Sequence, residues 1–290
     1  MARAPLTRAL RRPSALLPLL PPHPAYPVPS APLRLAPVYD LLAGRVAGWL
    51  AAFGRMGYFL SSVARALADV PTWGGLAASQ MRRIGVESVP IAVFIAVFTG
   101  IVLALQASYT FTGAVPLYFV GTLVGKTIML ELGPVLTGLA LAGRVGGGLA
   151  AELGTMRVTE QVDALETLTY DPISYLVVPR ALAATLMFPV VVVLAMAVGV
   201  VSGWLTAVNL LDLSTVEFVR GLKLFYRFKD VWFGLVKSAS FGLTISLVGC
   251  VMGLAADRGA EAVGRATTGA VVLSAMLILV LDAFWAIVLL

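Results

Sequence analysis

From about residue 89 onward, the chain alternates long apolar runs with short polar connections. A helix needs roughly 20 apolar residues in succession to cross a bilayer. Five runs reach this length, so the pattern predicts an all-α integral membrane protein with five transmembrane helices. The predicted spans are Val89–Tyr109, Leu117–Leu141 with an extension toward Leu153, Arg180–Val208, Val231–Ala256 and Gly269–Leu290.

The part before the first span divides into two segments. Residues 1–40 combine recurring prolines with arginines and contain no acid before Asp40, a composition that cannot hold a helix. We predict a disordered leader there; an organelle transit peptide, or a true start further in at Met56, are the alternatives. Residues 41–86 place apolar side chains on one helical face and arginines along its edge, which predicts an amphipathic helix or helix pair at the cytosolic interface. We therefore predict a single domain over 41–290.

Composition supports the membrane assignment. Hydrophobic residues make up 59% of the chain and charged residues only 12%, whereas soluble proteins carry about a quarter charged residues. The net charge is +6, an excess that in membrane proteins more often sets topology than binds nucleic acid. We recognise no basic patch interleaved with aromatic residues, and we therefore predict no nucleic-acid partner.

Few residues offer catalytic or metal chemistry. Cys250 is the single cysteine and His23 the single histidine, which excludes a cysteine metal site, a histidine ligand cluster and a Ser-His-Asp triad. Residues 121–127 resemble a phosphate-binding loop, but three residues separate the two glycines where that loop needs four. We predict no catalytic residue, metal or cofactor in this chain; if ATP drives it, another chain hydrolyses the ATP.

Charge placement predicts the topology. Arg82, Arg83 and the arginines of the leader place the N-terminus in the cytosol, because cytosolic loops carry an excess of Lys and Arg. The loops at 144–180 and Asp257–Arg265 then face the cytosol as well. The loop at 209–230 would face outward although it holds four cations against the three acids Asp212, Glu217 and Asp230, which conflicts with the same rule. An amphipathic helix on the outer surface is one interpretation of this segment.

Small residues recur four apart in several spans, a spacing that lets two helices approach closely. The pairs are Gly143/Gly147, Gly199/Gly203 and Gly249/Gly253.

Four ionisable residues fall within the predicted spans, namely Lys126, Glu131, Lys237 and Asp282. Charges in lipid are costly and usually functional. Glu131 either lines a cavity or contacts a lipid headgroup, or it is a helix-terminus carboxylate paired with Lys126 or with a neighbouring helix. Pro134 loosens the helix just after it. For Asp282 we favour a structural hydrogen-bonding role.

A short amphipathic segment, Met156–Leu168, follows the second span. Its apolar stripe is Val158, Val162 and Leu165, and its opposite face is acidic with Glu160, Gln161, Asp163 and Glu166. The segment is either a helix that docks into a groove on a cytosolic partner or an ordinary interfacial helix with a solvated face.

The run Glu131–Leu165 (ELGPVLTGLALAGRVGGGLAAELGTMRVTEQVDAL) closely resembles the MlaE-type permease family of lipid ABC transporters. Further matches are IGVESVP at 84–90, the 98–106 run, YDP at 170–172, VPR at 178–180, GRATT at 264–268 and Leu281-Asp282. The resemblance covers about residues 45–290, and residues 1–40 have no counterpart.

The resemblance implies a homodimeric permease subunit that moves phospholipid between membranes, with an interfacial N-terminal helix and five transmembrane helices. It implies cytosolic ABC ATPase subunits and an MCE-domain lipid-binding protein as partners, so this chain would be non-catalytic and ATP would be used by the ATPase. The expected location is a bacterial inner membrane, or alternatively a plastid inner envelope. The headgroup of the lipid and the direction of transport stay open.

The resemblance also assigns roles to individual residues. It makes Arg157–Leu168 a cytosolic coupling helix between spans two and three, with Arg157, Glu160, Gln161 and Asp163 at the ATPase. It places Glu131, Leu132, Gln106 and Tyr109 at the lipid cavity.

Other classes of function predict other behaviour. A proton-coupled secondary transporter would use Asp282 or Glu131, depend on a pH gradient and have no ATPase partner. An intramembrane enzyme is disfavoured by the missing histidine and metal ligands, and a structural scaffold would need no lipid cavity.

Overall fold

The computed structural model describes residues 51, 54–111, 116–257 and 259–289. Met56–Leu290 forms one compact unit, and of the residues before it the structure describes only 51, 54 and 55, which are helical. The predicted leader, 1–40, lies outside the described residues. The described residues contain helices and no strand. The helices are α1 (54–66), α2 (Val70–Ile84), α3 (Val89–Thr110), α4 (Phe119–Val158), α5 (Gln161–Thr167), α6 (Ile173–Leu210), α7 (Thr215–Leu224), α8 (Phe228–Leu254) and α9 (Ala260–Leu289).

Five helices are long and apolar enough to cross a membrane, which confirms the predicted number. They are α3 (extended backward by α2), α4, α6, α8 and α9. Three of them, α6, α8 and α9, begin earlier than predicted, and the shift is smallest for α8, which begins at Phe228 instead of Val231. Helix α6 starts at Ile173 because the Asp171 carboxylate accepts hydrogen bonds from the backbone N–H groups of Ile173 and Ser174, at 3.2 and 3.1 Å. Helix α9 starts at Ala260 because its first turns are helical. These turns are polar, so the apolar run used for the prediction begins only after them.

The amphipathic segment before the first span is a helix pair. Pro71 stands in the first turn of α2, where its missing N–H costs nothing, and it cannot continue α1. Val63 and Ala66 of α1 are buried, and Arg82 and Arg83 at the end of α2 are exposed. The interfacial position of the pair stays a prediction.

Helix α4 is interrupted twice by π-helical turns, at Ile128–Leu132 and Ala142–Gly146, and α6 begins with a third at Ile173–Val177. Two of these turns stand just before a proline, Pro134 or Pro179. Proline has no N–H for the carbonyl four residues earlier, so the local hydrogen bonding is rearranged there.

Glycines set the closest helix contacts. Between α4 and α8, a Cβ on Gly249 would lie 2.8 Å from the Gly146 carbonyl oxygen, and one on Gly253 would lie 2.9 Å from that of Ala150. Gly199 and Gly203 of α6 lie between α3 and α4, where a Cβ would be 3.4 Å from the Ala96 carbonyl oxygen and 3.2 Å from that of Gly100, respectively, so both glycine pairs lie at close contacts. The third pair is only half used, because Gly147 packs on α9 while Gly143 has no neighbour within 4 Å.

The order of contacts along α4 defines two ends of the bundle. Helix α7, which joins α6 to α8, packs on the first residues of α4. Helix α5, which joins α4 to α6, follows the last residue of α4. The two polar connections therefore lie at opposite ends of a helix of 40 residues.

Candidate functional site

Three charged residues from three different helices meet inside the bundle. Lys237 of α8 places its Nζ 2.9 Å from both carboxylate oxygens of Glu131 on α4. The same Nζ lies 2.9 Å from Oδ1 of Asp282 on α9. We call these residues the charge trio. It carries one positive and two negative formal charges.

The backbone of α4 prepares the place for the lysine. Pro134 cannot donate to the Leu130 carbonyl, and Lys237 Nζ donates to that carbonyl instead at 3.2 Å. Gly234, one turn before Lys237, allows the approach, because a Cβ there would lie 2.7 Å from the Met129 carbonyl oxygen. A proline in α4 and a glycine in α8 thus position one ammonium group.

The three side chains differ in exposure. Lys237 is 3% exposed, Asp282 is 22% exposed and Glu131 is 37% exposed. Burial of a charge is tolerated in lipid when it is paired, and Lys237 has two carboxylates and a carbonyl around it. Glu131 is therefore the most accessible member of the trio.

The sequence left two ion pairs open for Glu131, one with Lys126 and one with a neighbouring helix, and the structure distinguishes them. Its partner is Lys237 on a neighbouring helix, and the pairing with Lys126 is wrong. Lys126 lies instead 3.8 Å from Asp230 on α8. Asp282, for which we favoured a hydrogen-bonding role, forms an ion pair.

The other predicted cavity residues are dispersed around the trio. Leu132 lines a small apolar pocket between α3, α4 and α6, together with Thr99 and Gly199. Gln106 and Tyr109 are exposed on α3, and Tyr109 is 86% exposed. Within the described residues, neither side chain makes a hydrogen bond to the trio. A shared cavity for the four residues stays a prediction.

The predicted coupling segment is not one continuous helix. Helix α4 ends at Val158, Glu160 adopts a left-handed conformation with φ of 60°, and α5 begins at Gln161. The Thr159 hydroxyl donates to the Thr155 carbonyl at 2.8 Å, and the Glu160 carbonyl accepts the first hydrogen bond of α5. The apolar periodicity continues through the break, which explains why the sequence does not reveal it.

The faces of the segment agree with the sequence pattern. Val162 is buried and Leu165 packs against the main core, while the predicted coupling residues are exposed. Arg157 and Asp163 form an ion pair with each other across the break. Gln161 donates from Nε2 to the Thr159 hydroxyl at 3.0 Å. Glu160 makes no ion pair among the described residues, so its carboxylate faces outward.

A second charged cluster, which was not predicted, joins α2, α4 and α6 near this connection. Arg180 of α6, only 5% exposed, donates to Oε1 of Glu152 on α4 at 2.8 Å. Arg83 of α2 lies 2.6 Å from Oε2 of the same carboxylate. We call these three residues the basal clamp. An arginine at the start of an apolar run, opposite a glutamate at the end of the preceding one, is the only signal for it in the sequence.

These features define the class of protein: an all-helical multi-pass membrane protein with paired charges inside the bundle and a clamped polar connection at one end. The family model of the permease MlaE matches residues 77–288, and the chain belongs to that family. This confirms the resemblance noted in the sequence.

Three relatives show how the family is distributed. A probable ABC transporter permease protein of Rickettsia felis is 41% identical over 78% of this chain and 88% of its own length. The intermembrane phospholipid transport system permease protein MlaE of Haemophilus influenzae is 30% identical over 83% of this chain and 93% of its own length. The chloroplastic protein TRIGALACTOSYLDIACYLGLYCEROL 1 of Arabidopsis thaliana is 34% identical over 70% of this chain and 58% of its own length.

Proposed function

We propose that this chain is the membrane permease subunit of an ABC transporter that moves phospholipid between two membranes. The observation that carries the proposal is membership of the MlaE permease family, in which a relative matched over 93% of its length is named an intermembrane phospholipid transport permease. A permease of this type needs an ABC ATPase, which supplies the ATP hydrolysis. The chain itself is non-catalytic and holds no cofactor in this proposal.

The acidic face of the α4–α5 connection is the proposed ATPase contact. Glu160, Gln161 and Asp163 are exposed there, while Val162 fixes α5 to the core. A short helix held by its apolar side and free on its acidic side suits docking into a groove of a partner. Because α5 is separated from α4 by the break, its movement reaches the spans through the core contacts and the basal clamp, and not along one straight helix.

The proposed lipid site lies on the Glu131 side of the trio. Glu131 is accessible, Leu132 borders an apolar pocket, and large apolar side chains such as Phe94 and Phe98 are exposed on α3. A second copy of the chain would enclose this surface, with Gln106 and Tyr109 at its edge. An MCE-domain protein on the far side would receive or supply the lipid.

A bacterial inner membrane is the proposed location. Relatives in bacteria and a chloroplastic relative are both matched, so the plastid inner envelope is the alternative.

The test is the double variant Glu160→Lys/Asp163→Lys, purified with its partners. We expect it to insert normally and to lose most ATPase co-purification and most ATP-dependent phospholipid transfer between nanodiscs. The matched control is Asp69→Lys/Glu261→Lys, which reverses two exposed carboxylates near the same end of the bundle. Normal ATPase binding and lipid transfer by Glu160→Lys/Asp163→Lys would contradict the proposal.

The charge trio favours one second candidate, a proton-coupled secondary transporter. Two carboxylates and a lysine inside the bundle are the kind of residues that carry protons through membranes. This candidate requires transport that follows an imposed pH gradient without ATP. Transport that needs ATP and is indifferent to the gradient would exclude it.

A further inference from the structure

The connection between α6 and α8 carries four cations that the transport proposal does not use. They are Arg220, Lys223, Arg227 and Lys229. All four are exposed, and in the part of the chain that the structure describes none lies within 4.0 Å of a carboxylate.

Two of the three acids of the same connection are engaged elsewhere, and the third, Asp212, is exposed and forms no ion pair with these cations within the described residues. Glu217 accepts hydrogen bonds from the Ser214 N–H and hydroxyl, at 3.1 and 2.8 Å, and so caps α7. Asp230 is 6% exposed and lies beside Lys126. The positive charge of the surface is therefore not neutralised by Glu217 or Asp230.

Aromatic side chains alternate with these cations. Residues 223–229 read KLFYRFK, and every one of them is exposed. Phe228 is 73% exposed, and Trp232 follows one turn later at 57%. The expectation that no basic patch is interleaved with aromatic residues is therefore wrong. We call residues 220–232 the basic–aromatic strip.

The strip is held rigidly at one end of α4. Phe218 is buried, and Gly221 packs so closely that a Cβ would collide with the Tyr118 carbonyl oxygen. The Thr122 hydroxyl of α4 donates to the Gly221 carbonyl at 2.5 Å. Arg220 lies 5.5 Å from the centre of the Tyr118 ring.

The position of the strip along the membrane normal follows from where the spanning helices end. It begins in α7, runs into the first turns of α8 and packs on the first turns of α4, at the end where α6 stops. Spanning helices meet water at their ends, so the strip lies at a membrane–water interface. Aromatic side chains favour this level, and cations there attract anionic lipids. This explains why a connection predicted to face outward holds cations that oppose the usual charge rule.

We propose that the basic–aromatic strip binds the phosphate headgroups of anionic phospholipids in the leaflet at its own end of the bundle. Lys223, Arg227 and Lys229 contact the headgroups, and Phe228 and Trp232 sit among the upper acyl carbons. The site is distinct from the charge trio, and the proposal does not depend on the transport function.

The experiment uses the full chain in phosphatidylcholine bilayers that contain brominated phosphatidylglycerol or brominated phosphatidylcholine. Bromine quenches nearby tryptophans, and the difference between the native chain and Trp232→Phe isolates the signal of Trp232. We expect brominated phosphatidylglycerol to quench Trp232 at several-fold lower mole fraction than brominated phosphatidylcholine, and high salt to reduce the preference. Each cation near the surface contributes about a fivefold preference for anionic lipid.

Substitutions then test the assigned residues. Lys223→Gln/Arg227→Gln/Lys229→Gln should abolish the preference, while Lys223→Arg/Lys229→Arg should keep it. The matched control removes three exposed arginines nearer the other end, as Arg65→Gln/Arg82→Gln/Arg265→Gln, and should also keep it.

Three outcomes would overturn the proposal. The first is equal quenching of the native chain by the two brominated lipids. The second is a preference that survives the triple glutamine variant or disappears in the control as well. The third is a triple glutamine variant that keeps the lipid preference and loses co-purification of a soluble protein, which would make the strip a protein-docking surface.

Discussion

Replacing Lys237 with Met removes the only positive charge of the trio and keeps a long apolar side chain in its place. The substitution deletes the ion pairs to Glu131 and Asp282, each at 2.9 Å, and the hydrogen bond to the Leu130 carbonyl. The two remaining carboxylate oxygens are at most twice 2.9 Å apart, because both lie at that distance from the same Nζ.

The magnitude follows from this geometry. At an effective dielectric constant near 20, two unit charges about 6 Å apart repel by about 3 kcal/mol. Removing one partner of a buried ion pair costs about 3–5 kcal/mol. Glu131 is 37% exposed and therefore partly screened, so we expect the lower end of this range.

Thermal unfolding of the purified chain in a nonionic detergent measures the effect. At about 2–4 °C per kcal/mol for a domain of 150–250 residues, Lys237→Met should lower the midpoint by about 6–12 °C. Arg82→Met is the control, since Arg82 is exposed and makes no ion pair among the described residues. The variant Glu131→Gln/Lys237→Met/Asp282→Asn should recover much of the loss, because it leaves no unpaired charge. A midpoint of Lys237→Met within 1–2 °C of the native value would refute the reasoning.

Three more predictions concern the two ends of the bundle. Gly221→Val should detach α7, because its side chain would meet backbone at the start of α4, and proteolysis between α6 and α8 should become faster. Arg180→Gln should destabilise the chain by about 1–3 kcal/mol, since Glu152 loses the buried one of its two arginine partners and keeps Arg83, and the thermal midpoint measures this loss. Hydrogen bonds from the Ser214 side chain and backbone hold the pKa of Glu217 below its ordinary value of 4.5. The cap of α7 should therefore be intact above that value and weaken as the pH falls through the lowered pKa, and amide exchange of α7 should show this in the native chain and not in Glu217→Gln.

The spans were predictable because length and hydropathy alone decide them. Five apolar runs gave five helices, and the differences lie at the ends. Ala260 begins α9 among polar residues, where an i,i+4 pair between Glu261 and Arg265 supports the helix. A criterion that counts only consecutive apolar residues cannot detect a polar helix end that projects into water.

Glu131, Lys237 and Asp282 were predictable as ionisable residues within the spans, but their pairing was not. Four ionisable residues within spans are visible in the sequence, whereas their pairing depends on which helices are neighbours. Helices α4 and α8 are not consecutive spans, and the Leu130 carbonyl becomes available to Lys237 only because Pro134 lacks an N–H. Composition carries no information about such neighbours.

The break at Glu160 changes how movement at α5 would reach the membrane. A continuous helix would transmit a push along its own axis, whereas here the left-handed residue Glu160 turns the chain between two separate helices. The rigid connections are those beside the break. Val162 is packed in the core, and Glu152 ties α4 to the buried Arg180 of α6 and to Arg83 of α2. We therefore expect a partner docked on the acidic face to displace α4 and α6 together. Along α4, the basal clamp and the charge trio are separated by about 30 Å of helix. That stretch of α4 contains the π-helical turn at Ala142–Gly146 and packs on α8 through glycine contacts, so we expect α8 and Lys237 to move with α4.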